Sequence, residues 1–304
     1  MMDRNSYHTL SDKHYFNKKT KNINMNIDEN LIRIITDAGT IFQDKEVFTP
    51  DYQPPSIRFR DKQLQTMASH YTGIQDGIRP HNLFLKGTYA TGKSSTVKTF
   101  FRVLEYMDKK IVTAHINCIK HNTEYKVIHK VYEEVFNTSL GIGSSTHQLF
   151  KKIMEELVGK DKTLVVCLDD FNNFSTNKEL NTTMYNLLRA NETYPGVRVS
   201  LITVSSKETD LLNLDPNVVT VYHPSVVDFP SYSREEVFEI LFQRCELGFY
   251  PGVIDEGLVR FVAGETFDRG DLRFGIMKLC EMGERAMLRG EGKVGFEDFY
   301  DMLL

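Results

Sequence analysis

The sequence predicts an α/β fold, in which a parallel sheet with flanking helices is followed by a small all-helical domain. Short apolar runs alternate with helical periodicities between residues 83 and 229, which is the pattern of parallel strands joined by crossover helices. A glycine-rich loop follows the first apolar run and opens the first of these helices. After Pro230 the strand pattern stops and only helical periodicity continues, which indicates a second, helical domain.

The composition is that of an ordinary globular protein. The 304 residues are 41% hydrophobic and 26% charged, with a net charge of −4, and this length allows two domains. No apolar run is long enough to span a membrane, and the N-terminus lacks the apolar core of a signal peptide. The four cysteines are scattered, which favours buried free thiols over disulfides or a metal site. We therefore expect a cytoplasmic protein without a membrane partner.

Three segments precede the first strand. Residues 1 to about 25 are polar and lack periodicity, and we expect residues 1–40 to form a largely disordered tail. A weak nucleic-acid-contacting arm is the alternative, and a short helix is expected over Asp28–Asp37. Residues 41–55 form an extended connector bounded by proline. A helix is expected from Arg60, with Leu64, Met67, Ala68 and Tyr71 on its apolar face.

Strands and helices then alternate. The expected strands are Leu83–Lys86, Ile111–Ile116, Thr163–Leu168, Arg198–Val204 and Val226–Phe229. The expected helices are Ser95–Met107, Glu124–Phe136, Thr146–Val158, Lys178–Thr193 and a shorter one near Lys207–Leu212. In such a sheet, ligands bind beyond the carboxyl ends of the strands.

The helical domain is expected to begin at a capping box. Ser233 and Glu236 have the spacing in which each side chain caps the other residue's backbone N–H. Further helices are expected over Asp255–Thr266, Asp271–Arg289 and Phe296–Leu304. The apolar seam of the second consists of Leu272, Ile276, Leu279 and Gly283. The predicted domains are therefore 41–229 for the sheet and 230–304 for the helices.

The loop after the first strand fits the phosphate-binding pattern G-x-x-x-x-G-K-[ST]. In this strand–loop–helix setting, backbone N–H groups surround phosphates, and the helix N-terminus adds the positive end of its dipole. Lys93 is placed to reach the terminal phosphates and the Ser94 hydroxyl to coordinate Mg²⁺. We therefore predict a site for ATP or ADP with Mg²⁺. Its binding residues are Gly87, Thr88, Tyr89, Ala90, Thr91, Gly92, Lys93, Ser94 and Ser95.

Two adjacent carboxylates end the third strand. Five apolar residues, Leu164 to Leu168, lead directly to Asp169 and Asp170, which suits a strand buried in a parallel sheet. We expect Asp169 to hold Mg²⁺, mostly through water, and Asp170 to be the base that activates the attacking water. The alternative is a solvated turn after a core strand.

Several strings resemble the archaeal origin-recognition initiator ATPases of the AAA+ class. They are Ile41-Phe42, Glu46-Val47, Pro50-Asp51-Tyr52, Arg60-Asp61, Asn117-Cys118, Leu187 to Glu192, Phe229-Pro230-Ser231-Tyr232, Pro251-Gly252-Val253 and Gly270-Asp271-Leu272-Arg273. The resemblance covers about residue 41 to the end. It implies a role in DNA replication, binding to double-stranded DNA, and partners among replication initiator or helicase proteins. It also implies that Arg273 contacts the γ-phosphate; the alternative is a surface arginine paired with Asp271 or Glu281.

The chain departs from this family at three positions of the catalytic apparatus. Asp170 stands where the family usually has glutamate, and Ser206 where it usually has a sensor asparagine. Asn217 follows the Leu214-Asp215-Pro216 string that leads into the family's trans-acting arginine. We therefore expect intact nucleotide binding with slow hydrolysis. The alternatives are a regulator or partner subunit of a full-length initiator, whose nucleotide is structural, and a helicase-loader-type ATPase.

DNA contact is expected from the ATPase core. The family has a winged-helix domain beyond the helical domain, whereas this sequence ends at Leu304. A local basic bias is formed by Lys109, Lys110, Lys120, Lys126 and Lys130, with His115, His121 and His129 among them. An ordinary solvated lysine face is the alternative. The loop from Gly141 to Ser145 fits the family's DNA-contacting insertion, and we expect weak, salt-sensitive binding.

Overall fold

The computed structural model describes residues 40–139 and 143–300. The predicted tail up to residue 39, with its helix at 28–37, lies outside the described residues. Residues 140–142 also lie outside the described residues, and they include the first two residues of the predicted loop from Gly141 to Ser145. The last four residues of the final predicted helix lie outside them as well.

The core of the molecule is a parallel sheet. Its strands are β1 (Leu83–Lys86), β2 (Ile111–Asn117), β3 (Thr163–Asp169), β4 (Arg198–Ser205) and β5 (Ser225–Asp228). They lie in the order β2-β3-β4-β1-β5, and every pairing is parallel. The register places Lys86 beside Ser205 and Asp169 beside Val204 and Asn117. Consequently, the carboxyl ends of the three central strands meet at one edge.

Helices cover both faces of this sheet, as the alternating sequence predicts. Those that precede or link the strands are α1 (Asp61–Ser69), α2 (Lys93–Met107), α3 (Glu124–Phe136), α4 (Thr146–Gly159), α5 (Asn177–Leu188), α6 (Ala190–Thr193) and α7 (Pro216–Tyr222). Leu164, Val166 and Leu168 of β3 pack with α3, α4 and α5. Val165 and Cys167 point to the opposite face and pack with α1 and α2. Because successive strand residues alternate in direction, a fully apolar strand fills both cores.

A helical lid follows the last strand. It consists of α8 (Arg234–Gly248), α9 (Glu256–Arg269), α10 (Leu272–Leu288) and α11 (Phe296–Tyr300). The predicted capping box is confirmed: the Ser233 hydroxyl accepts from the Glu236 N–H, and the Glu236 carboxylate accepts from the Ser233 N–H. Across residues 40–139 and 143–300, no helix has both the length and the apolar character needed to cross a bilayer.

The connector packs against the lid. A 3₁₀ turn spans Lys45–Phe48, and Phe42 forms an antiparallel bridge with Phe249, with their rings stacked 5.0 Å apart. Ile41, Phe42 and Phe48 belong to the same buried apolar cluster as the lid helices. The sequence assigns these residues to the first domain, so the structure joins the two predicted domains through the start of the connector. The domain boundaries themselves stay a prediction.

The predicted helix boundaries hold where the periodicity is uninterrupted. Helix α3 has the predicted bounds, whereas the predicted helix Lys178–Thr193 divides at Arg189, whose ψ of 10° lies outside the helical range. Helix α7 was not predicted, because Val218, Val219 and Val221 favour strands. It begins at Pro216, a residue suited to the first helical position.

Candidate functional site

The loop between β1 and α2 folds back under the start of the lid. A Cβ atom at Gly87 would collide with the Phe229 carbonyl, so only glycine allows this approach. Gly92 has φ of 81° and directly precedes α2, a conformation that glycine adopts without strain. Ala90 has φ of 58°, where a Cβ atom is unfavourable. The loop is therefore held in a bent conformation at the N-terminus of a fifteen-residue helix.

Lys93 lies inside this loop. Its side chain is largely buried, with an exposed fraction of 8%, and its Nζ donates to the carbonyls of Gly87 and Thr88, both at 2.7 Å. Burial lowers the pKa of Lys93, and the charges of Asp170 and Asp169 act in the opposite direction. The site thus has a desolvated ammonium group bonded to neutral carbonyls and close to two acids. Such a group favours an incoming anion.

Asp169 ends β3 directly beneath α2. It is 3% exposed, and its Oδ2 lies 3.1 Å from His115 Nε2 on the neighbouring strand. Burial alone would raise the pKa of Asp169, but His115, the Ser94 hydroxyl and Lys93 together outweigh burial, so the pKa is lowered. An ionised carboxylate and a hydroxyl therefore meet at one point. These are oxygen ligands of the type that Mg²⁺ uses.

Asp170 has the environment of a proton acceptor. It lies in the left-handed region, with φ of 55° and ψ of 47°, which is uncommon for a residue other than glycine and is a feature of functional sites. Burial and the charge of Asp169 raise its pKa, while Lys93 and Arg273 act in the opposite direction. The two adjacent acids therefore differ: Asp169 is held ionised, and Asp170 binds a proton more readily.

A cavity of about 250 Å³ opens at this edge of the sheet. Its lining residues are Phe48, Thr49, Pro50, Tyr52, Tyr89, Ala90, Thr91, Gly92, Lys93, Ser94, Ser95, Asp169, Asp170, Arg244, Leu272, Arg273, Ile276 and Met277. One end is polar and consists of the loop, the two acids and Arg273. The other end is mostly apolar and lies between the connector and α10.

The structure brings most of the predicted site residues together, with exceptions. Arg273 lines the cavity, and its Nε pairs with Asp271 Oδ1 at 3.1 Å, while its contact with a γ-phosphate stays a prediction. Gly87 and Thr88 contribute the carbonyls that hold Lys93. Ser206 follows β4 at the same sheet edge but does not line this cavity. The hydroxyl of its neighbour Ser205 donates to the Asp210 carboxylate.

Sequence reasoning missed the apolar end of the cavity. Tyr52 stacks beneath the Arg244 guanidinium at 4.5 Å, and Arg244 also donates to the Val47 carbonyl at 2.9 Å. Phe48 and Met277 complete the surface. Tyr52 belongs to a string that carries the family resemblance, but no local pattern assigns it a role, because its partners lie about two hundred residues away in the chain.

The donor set fits a nucleotide with a divalent cation. The first-turn N–H groups of α2 have no partner within the helix, and three residues of this turn, Lys93, Ser94 and Ser95, line the cavity. Together with the Lys93 ammonium they suit phosphate oxygens. Ser94 and Asp169 supply oxygens for Mg²⁺, and the apolar end has the character of a base pocket.

The basic residues predicted to contact DNA do not form one surface. Lys109 and Lys110 precede β2 and Lys120 follows it, so they lie roughly 20 Å apart across a seven-residue strand. Lys110 pairs with Asp161, and Lys130 pairs with Glu133 and Glu134. His115 faces Asp169 instead of solvent. The expected basic bias is therefore divided between the two ends of β2, and Lys120 and Lys126 are exposed at the carboxyl edge. DNA contact from the core stays a prediction.

Comparison with known sequences identifies similar proteins. Residues 238–301 match the family model described as Cdc6 AAA+ ATPase-type lid domain. ORC1-type DNA replication protein 2 of Methanothermobacter thermautotrophicus is 35% identical over 265 residues, which are 87% of this chain and 70% of the relative. ORC1-type DNA replication protein 6 of Halobacterium salinarum is 37% identical over 262 residues, with shares of 85% and 70%.

Comparison with solved structures identifies proteins with the same fold. The Aeropyrum pernix ORC1 protein, solved in complex with DNA, superposes with a TM-score of 0.75 at 26% identity, covering 86% of this chain and 69% of that protein. The ORC2 protein of the same organism, solved in ADPNP–ADP complexes, gives a TM-score of 0.76 over 86% of this chain and 72% of its own. Its identity is 21%, and this likeness concerns the fold alone.

Proposed function

The chain belongs to the family of ORC1-type DNA replication proteins, and on this premise we propose a specific activity for it. It binds ATP or ADP with Mg²⁺, hydrolyses ATP slowly, and binds double-stranded DNA weakly through its core during the initiation of DNA replication. The observation that carries the proposal is that residues of the phosphate loop, both acids at the end of β3 and Arg273 line one and the same cavity.

The two ends of the cavity bind different parts of the nucleotide. Phosphates bind against the first-turn N–H groups of α2 and Lys93, and Arg273 of α10 approaches the γ-phosphate from the lid. The base lies in the apolar end between Tyr52 and Met277. When bound, Mg²⁺ neutralises charge on the phosphate oxygens. Ser94 and Asp169 are the residues that hold it, Asp169 mostly through water.

Asp170 accepts the proton of the attacking water. Its raised pKa makes it a stronger base than an ordinary aspartate. Its side chain is one methylene shorter than the glutamate that the family usually has there, so it reaches the water less well. Ser206, with a short side chain outside the cavity lining, orients the γ-phosphate poorly. Both features support slow turnover.

The partners follow from the family. A relative with this fold has been solved in complex with DNA, which supports DNA as a partner, and the relatives are named as DNA replication proteins. We propose replication initiator or helicase proteins as further partners. The nucleotide-binding domain extends over residues 41–229 and the lid over 230–304.

A regulatory role is the second candidate. It is favoured by Asn217, which occupies the first turn of α7 at the position where the family places its trans-acting arginine. A chain without that arginine cannot complete a neighbour's site in the family's manner. Single-turnover hydrolysis with and without DNA separates the two: measurable turnover supports the initiator, and its absence supports a regulator with structural nucleotide.

The Lys93→Ala variant tests the nucleotide site. Loss of the Lys93 ammonium group removes a charge-assisted bond to phosphate, so we expect affinity for ATP and ADP to fall about 10- to 100-fold. The measurement is titration with a fluorescent ATP analogue. Lys98→Ala is the matched control, because Lys98 lies on the same helix but not in the cavity lining. Equal affinity in Lys93→Ala and the wild type would contradict the proposal.

A further inference from the structure

The Arg60 side chain lies where the residue that precedes it, the phosphate loop and the start of the lid meet. It is 2% exposed, and each of its three guanidinium nitrogens donates to a backbone carbonyl. Nε donates to Thr91 of the loop at 2.9 Å, and one terminal nitrogen to Phe59 at 2.8 Å. The other terminal nitrogen donates to Pro230, where the lid begins, at 2.9 Å. One rigid, planar group thus joins three chain segments.

Aromatic contacts hold the guanidinium in place. It stacks over the ring of Tyr232 at 3.8 Å and lies 5.8 Å from the ring of Phe229. A Cβ atom built on Gly92 would approach the Tyr232 hydroxyl to 2.5 Å, so the lid hinge contacts the phosphate loop directly. Here we define the hinge as residues 229–232. The Thr88 and Ser231 hydroxyls add a hydrogen bond of 3.2 Å.

The hydrogen bond from Arg60 to the Thr91 carbonyl fixes the direction of the Gly92 N–H, which belongs to the same peptide group. The Thr91–Gly92 peptide is trans and planar, so its C=O and N–H point in opposite directions. Because the carbonyl is bonded to Arg60, the Gly92 N–H is turned away from Arg60. Gly92 lines the nucleotide cavity. A donor held in advance costs no reorganisation when an anion binds.

We propose that Arg60 is a positioning residue that orients the Thr91–Gly92 peptide for phosphate and transmits nucleotide binding to the lid hinge through Pro230. The inference rests on the proposed nucleotide binding. A lysine could not take its place, because an ammonium group has neither the planar fork nor the geometry to bond three carbonyls while stacking on Tyr232.

The test compares Arg60→Lys with Arg79→Lys. Arg79 is exposed whereas Arg60 is buried, but Arg79 also donates to carbonyls, those of Val199 at 2.8 Å and Leu188 at 3.3 Å, and it does not line the cavity. We expect both variants to lower Tm. Only Arg60→Lys should raise the Kd for ATP and ADP, by about tenfold, as for the loss of a bond to a charged group.

Hydrogen exchange gives a second readout that a merely structural role would not change. In the wild type and in Arg79→Lys, saturating ADP should slow amide exchange in both the loop and the hinge. In Arg60→Lys at saturating ADP, the loop should still be protected while the hinge loses its added protection. If Arg60→Lys does not fold, Tyr232→Leu removes the stacking surface and should raise Kd by a smaller factor in the same direction.

Two outcomes overturn the inference in different ways. If the wild type binds nucleotide in a Lys93-dependent manner but Arg60→Lys keeps the same Kd and the same hinge protection, only the role of Arg60 is wrong. If the wild type itself shows no Lys93-dependent binding, the proposed function fails and this inference fails with it.

Discussion

Asp170 shows how strongly one residue's surroundings determine its chemistry. It shares the end of β3 with Asp169, yet its pKa is raised by burial and by the charge of Asp169, whereas the pKa of Asp169 is lowered. The difference arises because hydrogen bonds from His115 and Ser94 and the charge of Lys93 outweigh burial at Asp169, whereas the charges of Lys93 and Arg273 do not outweigh burial and the charge of Asp169 at Asp170. Opposite pKa shifts of two adjacent carboxyl groups support the proposed division into a metal ligand, Asp169, and a base, Asp170.

We expect Asp170→Glu to increase ATP turnover. The added methylene lets the carboxylate reach the water that aspartate reaches poorly, and because a misplacement of about 1 Å costs on the order of 100-fold, the gain should approach that factor. Single-turnover hydrolysis with Mg²⁺ measures it. Asp170→Asn is the matched control and should turn over more slowly than the wild type. A rate in Asp170→Glu equal to that of the wild type would show that reach does not limit hydrolysis.

At the scale of elements, a charged cluster joins the amino ends of three strands. Asp161 accepts from Lys110 before β2 at 2.9 Å and from Arg198 of β4 at 2.7 Å. These hydrogen bonds, Lys110 first and then Arg198, lower the pKa of Asp161 to about 2. The cluster lies at the sheet edge opposite the nucleotide cavity. A change in the cluster should therefore alter the stability of the fold and leave the residues that line the cavity unchanged.

We expect Asp161→Asn to reduce Tm slightly at neutral pH, since exposed ion pairs contribute little. Asparagine suits the left-handed conformation of this residue, with φ of 52°. Because the pKa is lowered in the folded state, the stabilisation is present above the unfolded value and is lost as pH falls towards 2. Thermal melts from pH 7 to pH 2 should therefore show a Tm difference that narrows with acidification. A Tm difference that does not change with pH would show that the ionised Asp161 carboxylate does not account for the stabilisation.

Two lid glycines test how the connector packs. A Cβ atom on Gly283 of α10 would lie 2.5 Å from the Phe42 ring and 2.7 Å from Phe249, whereas one on Gly264 of α9 meets only the end of Arg234 at 2.9 Å. Alanine favours both helices, by up to about 1 kcal/mol. We expect Gly264→Ala to be neutral or stabilising, and Gly283→Ala to destabilise by about 1–3 kcal/mol through overpacking. Urea unfolding measures both, and stabilisation in Gly283→Ala would contradict the packing of Phe42.

The sequence predicts features whose causes are local. The phosphate loop, the acids after β3 and the Ser233 capping box each depend on residues within one short window, and the structure has all three. The break at Arg189 and the helix at Pro216 were missed because tertiary contacts override propensity there. The apolar end of the cavity and the junction at Arg60 also could not be predicted, because they join segments such as Thr91 and Pro230 that approach only in the folded chain.

At the scale of the whole molecule, the cavity lies where three parts of the chain meet. The connector packs with the lid, the loop belongs to the sheet domain, and Arg273 comes from α10. A ligand in this cavity contacts all three at once. If the chain binds nucleotide as proposed, we expect binding to stabilise the arrangement of the lid on the sheet domain as well as the loop, by an amount set by ligand concentration relative to Kd.

The distribution of exposed lysines predicts which surface carries the proposed binding to DNA. Lys120 and Lys126 are exposed at the carboxyl edge of the sheet, whereas Lys109 is exposed at the opposite end. Each lysine that neutralises a phosphate contributes about −0.9 to the slope of log affinity against log salt. We expect the double variant Lys120→Ala/Lys126→Ala to weaken binding to double-stranded DNA and to reduce this slope by about 2. Fluorescence anisotropy of a labelled duplex, titrated at several salt concentrations, measures both.

Lys109→Ala is the matched control and should leave affinity and slope unchanged, because its charge lies on the far side of the sheet. Equal losses in the control and the double variant would show that DNA binding follows net charge rather than the carboxyl edge.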